Sequence, residues 1–138
     1  MRFYIATTLK NSAQAMKLAG ILQAAGHEPT YSWWEHGSVQ AEGLERIAQV
    51  AGLEADGVRG ADLVIVLLPG GRGTHTELGI AIGSRKPIFL LEDPTFGLLD
   101  RSYGDTCAFY YHPCVQRYTD ELTLVATVAS WRAIKEVA

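Results

Sequence analysis

An α/β fold, a doubly wound parallel sheet of five strands with helices on both faces, is what the chain predicts. Short apolar runs without polar alternation, of which Leu63 to Pro69 is the clearest, read as strands covered on both sides, the pattern of a parallel sheet. Between them lie stretches whose apolar residues recur at helical spacing, so strand and helix alternate along the chain. The 138 residues contain no internal repeat, low-complexity tract or interdomain linker, which predicts one domain over residues 1–138.

Taken in order, Arg2 to Ala6 is the first strand and Thr7 to Asn11 a loop. Ser12 to Ala25 is a helix with Ala15, Leu18, Ile21, Leu22 and Ala25 on one face, stopped by Gly26. His27 to Trp34, with β-prone Thr30, Tyr31, Trp33 and Trp34, reads as the second strand. After Gly37, the spacing of Leu44, Ile47, Ala48 and Val50 predicts a helix, and a second short helix near Leu53 to Arg59 leads into the third strand. Gly70, Gly71 and Gly73 form a turn, and a helix from Thr74 closes at Arg85 and Pro87 before a fourth strand, Ile88 to Leu91. Glu92 to Gly104, rich in Asp, Pro and Gly, reads as a loop. A fifth strand is expected at Thr106 to Tyr111 and a closing helix at Thr119 to Val137. The expected strand order is flavodoxin-like, 2-1-3-4-5.

A hydrophobic fraction of 48% suits a compact domain with an adequate core. The net charge of −3 comes without any basic run, which argues against a groove for a nucleic acid polymer and leaves small phosphorylated ligands open. Cys107 and Cys114, with six residues between them and outside any CxxC or His-pair spacing, support neither a metal site nor a disulfide framework. No apolar stretch reaches membrane-spanning length, and MRFYIATTLK starts on a strand rather than with signal-peptide order, so a cytoplasmic protein without membrane contact is expected.

The segment from Ala61 to Leu91 carries the functional signal. In an open α/β sheet ligands bind beyond the carboxyl ends of the strands, which is where the glycine turn and the start of the following helix fall. The unpaired N–H groups of that helix start favour anions. One carboxylate, Glu77, lies just past the turn, and two readings of it stand. Thr74-His75-Thr76-Glu77 fits a capping box, with Glu77 bonding back to the cap residue; alternatively Glu77 is an ionised carboxylate facing a ligand. The turn GGRG has neither GxGxxG nor GxxxxGK[ST] spacing, so no dinucleotide or P-loop cofactor follows, and none is expected.

Tyr4 within the strand FYIA, the Ala61-Asp62 pair opening the third strand, and the glycine turn ending in GTHTELGIAI together resemble the nucleoside 2-deoxyribosyltransferase family, including relatives that hydrolyse nucleoside 5'-monophosphates. The likeness covers most of Arg2 to Leu91, and its most specific piece is the G-x-x-x-E-L-G-x-A core from Gly73 to Ala81. It implies that Glu77 is the nucleophile that attacks the anomeric carbon and forms a covalent glycosyl intermediate, with Tyr4 orienting it. The chemistry is that of a retaining glycoside displacement. Where the family has an Asp eight residues before the AD aspartate, this chain has Glu54, with Asp56 two residues later, so the second carboxylate is open between them. The resemblance places substrate contacts on the first loop, at Thr7, Thr8, Lys10 and Asn11, and on Gly71, Arg72, Gly73 and Thr74. Asp62 reads as a residue that bonds the strand start.

Trp34, with Trp33 and His36, falls near enough to stack on a base, and packing in the core or at a subunit interface is the competing reading. Tyr110, Tyr111 and His112 are expected at the same sheet edge, where the family's neighbouring subunits complete the pocket, so a homo-oligomer, dimer or higher, is implied. The expected function is cleavage of the N-glycosidic bond of a small nucleoside or nucleoside 5'-monophosphate, with transfer to another base or to water. The alternative is a non-catalytic nucleotide-binding or sensing module of the same fold.

Overall fold

A computed structural model describes residues 1–93, 95, 97–99 and 106–132. Five parallel strands, β1 (Arg2–Ala6), β2 (Glu28–Pro29), β3 (Leu63–Leu67), β4 (Ile88–Leu91) and β5 (Val115–Tyr118), form one sheet in the order β2-β1-β3-β4-β5. Around it lie α1 (Ser12–Ala24), α2 (Leu44–Gly60), α3 (Arg72–Gly83) and α4 (Glu121–Ala129). α1 packs beside α4 and α2 beside α3, so one pair covers each face of the sheet. This is the flavodoxin-like, doubly wound arrangement that the alternation of strands and helices predicts.

The central strands are apolar because both of their faces are covered. β3 and β4 are buried along their whole length, and β1 is buried from Phe3 onward. The register sets Ile65 between Ile5 and Phe89, all three without exposed surface. Alternation along β1 sends successive side chains to opposite faces. Tyr4 thereby meets the α2 and α3 side, where it touches Glu77. Asp62 ties the strand starts together, its Oδ2 accepting from the Arg2 N–H at 2.7 Å.

Three elements differ from expectation. β2 is only Glu28–Pro29, and the aromatic part of the expected strand is a 3-10 turn, Trp33–Glu35. The Trp33 indole N–H donates to the Ile5 carbonyl at 2.7 Å, so burial of the ring against the end of β1 organises this segment in place of ladder pairing. The two helices expected between residues 38 and 59 are one, α2, which runs through Gly52 and Gly57. The Tyr110 segment is a 3-10 turn, Ala108–Tyr111, and the fifth strand lies at Val115–Tyr118. The closing helix is described over Glu121–Ala129; the part of that expectation at 133–137 lies outside the described residues, as do 94, 96 and 100–104 of the expected loop.

Gly57 explains how α2 comes so close to the sheet. A Cβ there would stand 3.1 Å from Tyr31 Cβ and 3.1 Å from two atoms of the Tyr4 ring. The Thr30 hydroxyl also donates to the Gly57 carbonyl at 2.7 Å, which binds the last turns of α2 to the chain leaving β2.

Candidate active site

A cleft of about 690 Å³ opens beyond the carboxyl ends of β1 and β3, within the range of small-molecule sites. Its walls are the loop after β1, the segment 36–40, one face of α2, and the first turns of α3. Glu77 lies at its base and is 8% exposed. α3 begins at Arg72, two residues earlier than expected, with Gly71 as its cap residue. The Gly71 N–H donates to Thr74 Oγ1 at 3.1 Å, so Thr74 makes the reach-back contact that the capping reading gave to Glu77. Glu77 is one turn further on and turns inward.

There it accepts a 2.9 Å hydrogen bond from the Tyr4 hydroxyl on Oε1. Its other oxygen, Oε2, is buried and has no hydrogen-bond partner among the described residues. Burial raises the Glu77 pKa to about 8, with the nearby Glu54 charge adding to the rise and the Tyr4 hydrogen bond opposing it. Burial, then the Glu77 charge, pushes the Tyr4 phenol far above its ordinary range, so Tyr4 is a permanently neutral donor.

Glu54, on α2, lines the same cleft. Half-buried, it is held above the ordinary carboxyl range by loss of solvent, an effect that His36 partly offsets. Asp56 is not in the cleft: its carboxylate is exposed and pairs with Arg59 at 2.9 Å. Two residues along a helix is a rotation of about 200°, which puts Glu54 and Asp56 on opposing faces. Of the two carboxylates left open by the sequence, Glu54 is the one at the site.

Thr7, Lys10, Gly71, Gly73 and Thr74 line the cleft as expected, together with Thr8. The Thr7 hydroxyl is already committed, donating to Leu67 O at 2.9 Å and accepting from Asn11 Nδ2 at 3.1 Å. Gly70 allows the turn to fold onto the helix start, since a Cβ there would come within 2.7 Å of Thr74 Cγ2. Arg72 is exposed and is not part of the lining. The indole on the cleft belongs to Trp33; Trp34 is buried edge-on against it, 5.7 Å between ring centroids, outside the lining. The 3-10 turn rotates consecutive side chains apart, which is why adjacent tryptophans differ in role.

The sequence reading missed Ser38, Val39 and Gln40, and it took Ile47 and Val50 for ordinary helix packing; all five line the cleft. Residues 38–40 carry no periodic or motif signal; they occupy the stretch between Gly37 and Gly43, whose φ values of +66° and +96° favour glycine. His36 also lines the cleft. Its Nδ1 faces the Gly37 carbonyl at 2.8 Å, which places the proton there and leaves Nε2 to accept from the Tyr31 hydroxyl at 2.7 Å.

No family model matches the chain, and no curated protein matches it in sequence. Solved structures do match in fold. A CMP N-glycosidase from Clostridium botulinum aligns with a TM-score of 0.62 at 20% identity, over 95% of this chain and 100% of that one. A 2-deoxyribosyltransferase from Bacillus psychrosaccharolyticus aligns with a TM-score of 0.62 at 17% identity, over 96% of this chain and 93% of its own. At such identities the likeness is one of fold. Both neighbours belong to the nucleoside 2-deoxyribosyltransferase family, the family that the Tyr4, Ala61-Asp62 and GTHTELGIAI motifs resemble.

Proposed function

We propose that the protein cleaves the N-glycosidic bond of a nucleoside or nucleoside 5'-monophosphate through a glycosyl intermediate on Glu77, and passes the glycosyl group to another base or to water. The observation that carries this reading is the Glu77 carboxylate, with one oxygen held by Tyr4 and the other buried without a partner at the base of a cleft. A buried acceptor without a partner costs about 1–3 kcal/mol. A fold retains such a group where a ligand supplies the missing contact, and here the missing contact is the sugar.

Tyr4 fixes the carboxylate through Oε1, so Oε2 attacks the anomeric carbon. As that bond forms, the bond to the base nitrogen breaks and its electron pair leaves with the base. The departing base needs a proton, and Glu54, which lines the same cleft and whose proton affinity is raised by loss of solvent, is the group placed to give it. In the second half an incoming base nitrogen or water oxygen attacks the same carbon, Glu77 leaves as carboxylate, and the proton released by the nucleophile returns to Glu54. Charge on the sugar ring in each transition state is offset by the Glu77 carboxylate, whose burial strengthens the interaction.

The rest of the lining divides by chemistry. Trp33 and the apolar face of α2 at Ile47, Val50 and Ala51 suit the flat faces of a base. Lys10, Thr8 and the free N–H groups at the start of α3 suit the 5' end of the sugar, with or without a phosphate. No cofactor or metal enters these steps. Small nucleosides or nucleotides are the proposed partners, and a homo-oligomer in the cytoplasm is the proposed setting.

The test is Glu77→Ala against a panel of nucleosides and nucleoside 5'-monophosphates, with and without a second free base, read by chromatography of released and exchanged bases. Exchange in the wild type identifies transfer, and release alone identifies hydrolysis. Loss of at least about a thousandfold in rate is expected for the variant, the scale of removing a covalent nucleophile. A variant that kept full activity would exclude Glu77 as nucleophile; a wild type that binds the panel without turnover would leave a binding module.

A further inference from the structure

Gly71 lies on the cleft, yet the side chains that hold its carbonyl lie elsewhere. Its carbonyl accepts two bonds, from the His75 backbone N–H at 3.1 Å and from His75 Nδ1 at 2.7 Å. A carbonyl only accepts, so Nδ1 carries the imidazole proton and Nε2 is left as an acceptor. The Tyr110 hydroxyl fills it at 2.7 Å, with the two rings tilted at 5.7 Å between centroids. Tyr110 is 2% exposed. Burial, and then the nearby Cys107, raises its pKa to about 12, which keeps the hydroxyl a donor at neutral pH.

Tyr110 is itself anchored to the sheet. Arg117, in β5 and paired in register with Leu90, donates to the Tyr110 carbonyl at 3.2 Å and to the Val115 carbonyl at 3.3 Å. A line of contacts therefore runs from β5 through Tyr110 and His75 to the Gly71–Arg72 peptide. In a trans peptide the carbonyl and the N–H point in opposite directions. Drawing the Gly71 carbonyl down onto the first turn of α3 turns the Arg72 N–H out from the helix start. The first N–H groups of a helix have no partners within it. At the same turn the Gly71 N–H is occupied by Thr74, so the groups left for a ligand are those that follow it.

We propose that His75 and Tyr110 are positioning residues for substrate: the hydrogen-bond line from Tyr110 through His75 to Gly71 fixes the peptide at the start of α3, so that its free N–H groups meet the 5' end of the bound sugar. Neither residue lines the cleft, and both act through Gly71. The proposal rests on the nucleoside or nucleotide reading of the site and adds the element that presents the substrate to Glu77. Glu77 is on the next turn of α3 and is held separately by Tyr4, so the effect falls on binding and leaves the chemical step in place.

Tyr110→Phe, His75→Ala, His75→Gln and the Tyr110→Phe/His75→Ala double variant test it. KM and kcat are measured on the nucleoside or monophosphate that the wild type turns over, Kd is followed by tryptophan fluorescence, and Tm is recorded in parallel. Each of Tyr110→Phe and His75→Ala is expected to raise KM and Kd about five- to tenfold, the worth of one hydrogen bond, with kcat within about twofold of wild type. The double variant is expected to be no worse than His75→Ala alone, because the two act in series. Glutamine, which offers a donor and an acceptor, is expected to recover part of the loss. Lower Tm with unchanged KM and Kd would reduce the pair to a structural contact and overturn the proposal, as would a fall in kcat at constant KM. A wild type that binds without turnover defeats the catalytic reading alone, and the Kd series then decides this one; a wild type that binds no member of the panel overturns both.

Discussion

The pair of Tyr4 and Glu77 makes two expectations at the scale of single residues. Tyr4→Phe keeps the ring packed and removes the donor to Oε1. Because that hydrogen bond lowers the Glu77 pKa, its loss raises it, and the alkaline rise in activity moves to higher pH. A rate loss of about ten- to a hundredfold is expected, matching a bond of about 1.5–3 kcal/mol to a charged group. A pH profile of kcat/KM checks both points; an unshifted profile would deny Tyr4 its part in tuning Glu77. The second expectation concerns stability. Between the ordinary carboxyl value of 4.5 and the folded value of about 8, the folded state holds a proton on Glu77 that the unfolded chain has released. This group's contribution therefore weakens as pH rises through that window and stays unfavourable above it. Glu77→Gln does not titrate, so its Tm is expected to exceed the wild type's at pH 9, with the difference shrinking toward pH 5.

At the scale of elements, Gly57 sets how closely α2 can approach β1. Gly57→Ala is expected to cost about 1–2 kcal/mol, because its methyl would be 3.1 Å from the Tyr4 ring and from Tyr31 Cβ and these must shift. Urea denaturation gives the cost. Since Tyr4 is one of the groups displaced, a drop in kcat should accompany it. The interior elements, β1, β3, α3 and β4, were legible because unbroken apolar runs and a glycine turn leave one consistent reading. Edge elements were not. Thr30, Tyr31, Trp33 and Trp34 are strand formers by type, but at the rim of the sheet a 3-10 turn buries Trp33 and gives its indole N–H a carbonyl partner. The same holds for Tyr110, which is buried from a 3-10 turn beside β5. Within the site, Glu77 and Tyr4 were readable from a motif and a strand. Asp56 and Trp34 read as candidates beside Glu54 and Trp33, since one- and two-residue offsets decide which face a side chain takes.

Across the whole molecule, the sheet's interior and its functional edge are separable. Ile65→Ala, in the middle of the sheet between Ile5 and Phe89, is expected to cost about 2–5 kcal/mol of stability and to leave KM of the surviving folded protein unchanged. Denaturation and steady-state kinetics on the same preparation separate the two effects. The Tyr4–Glu77 hydrogen bond spans 73 residues of sequence. Its two ends come together only once β1 has found β3 across the intervening α1, β2 and α2, and closing so long a loop is slow relative to forming any one helix. During synthesis the first half of the chain therefore emerges with Tyr4 lacking its acceptor and β1 lacking its central neighbour. The carboxylate acquires its donor in the step that completes the middle of the sheet, so catalytic competence is expected to appear late in refolding, together with protection of the β1 and β3 amides from hydrogen exchange.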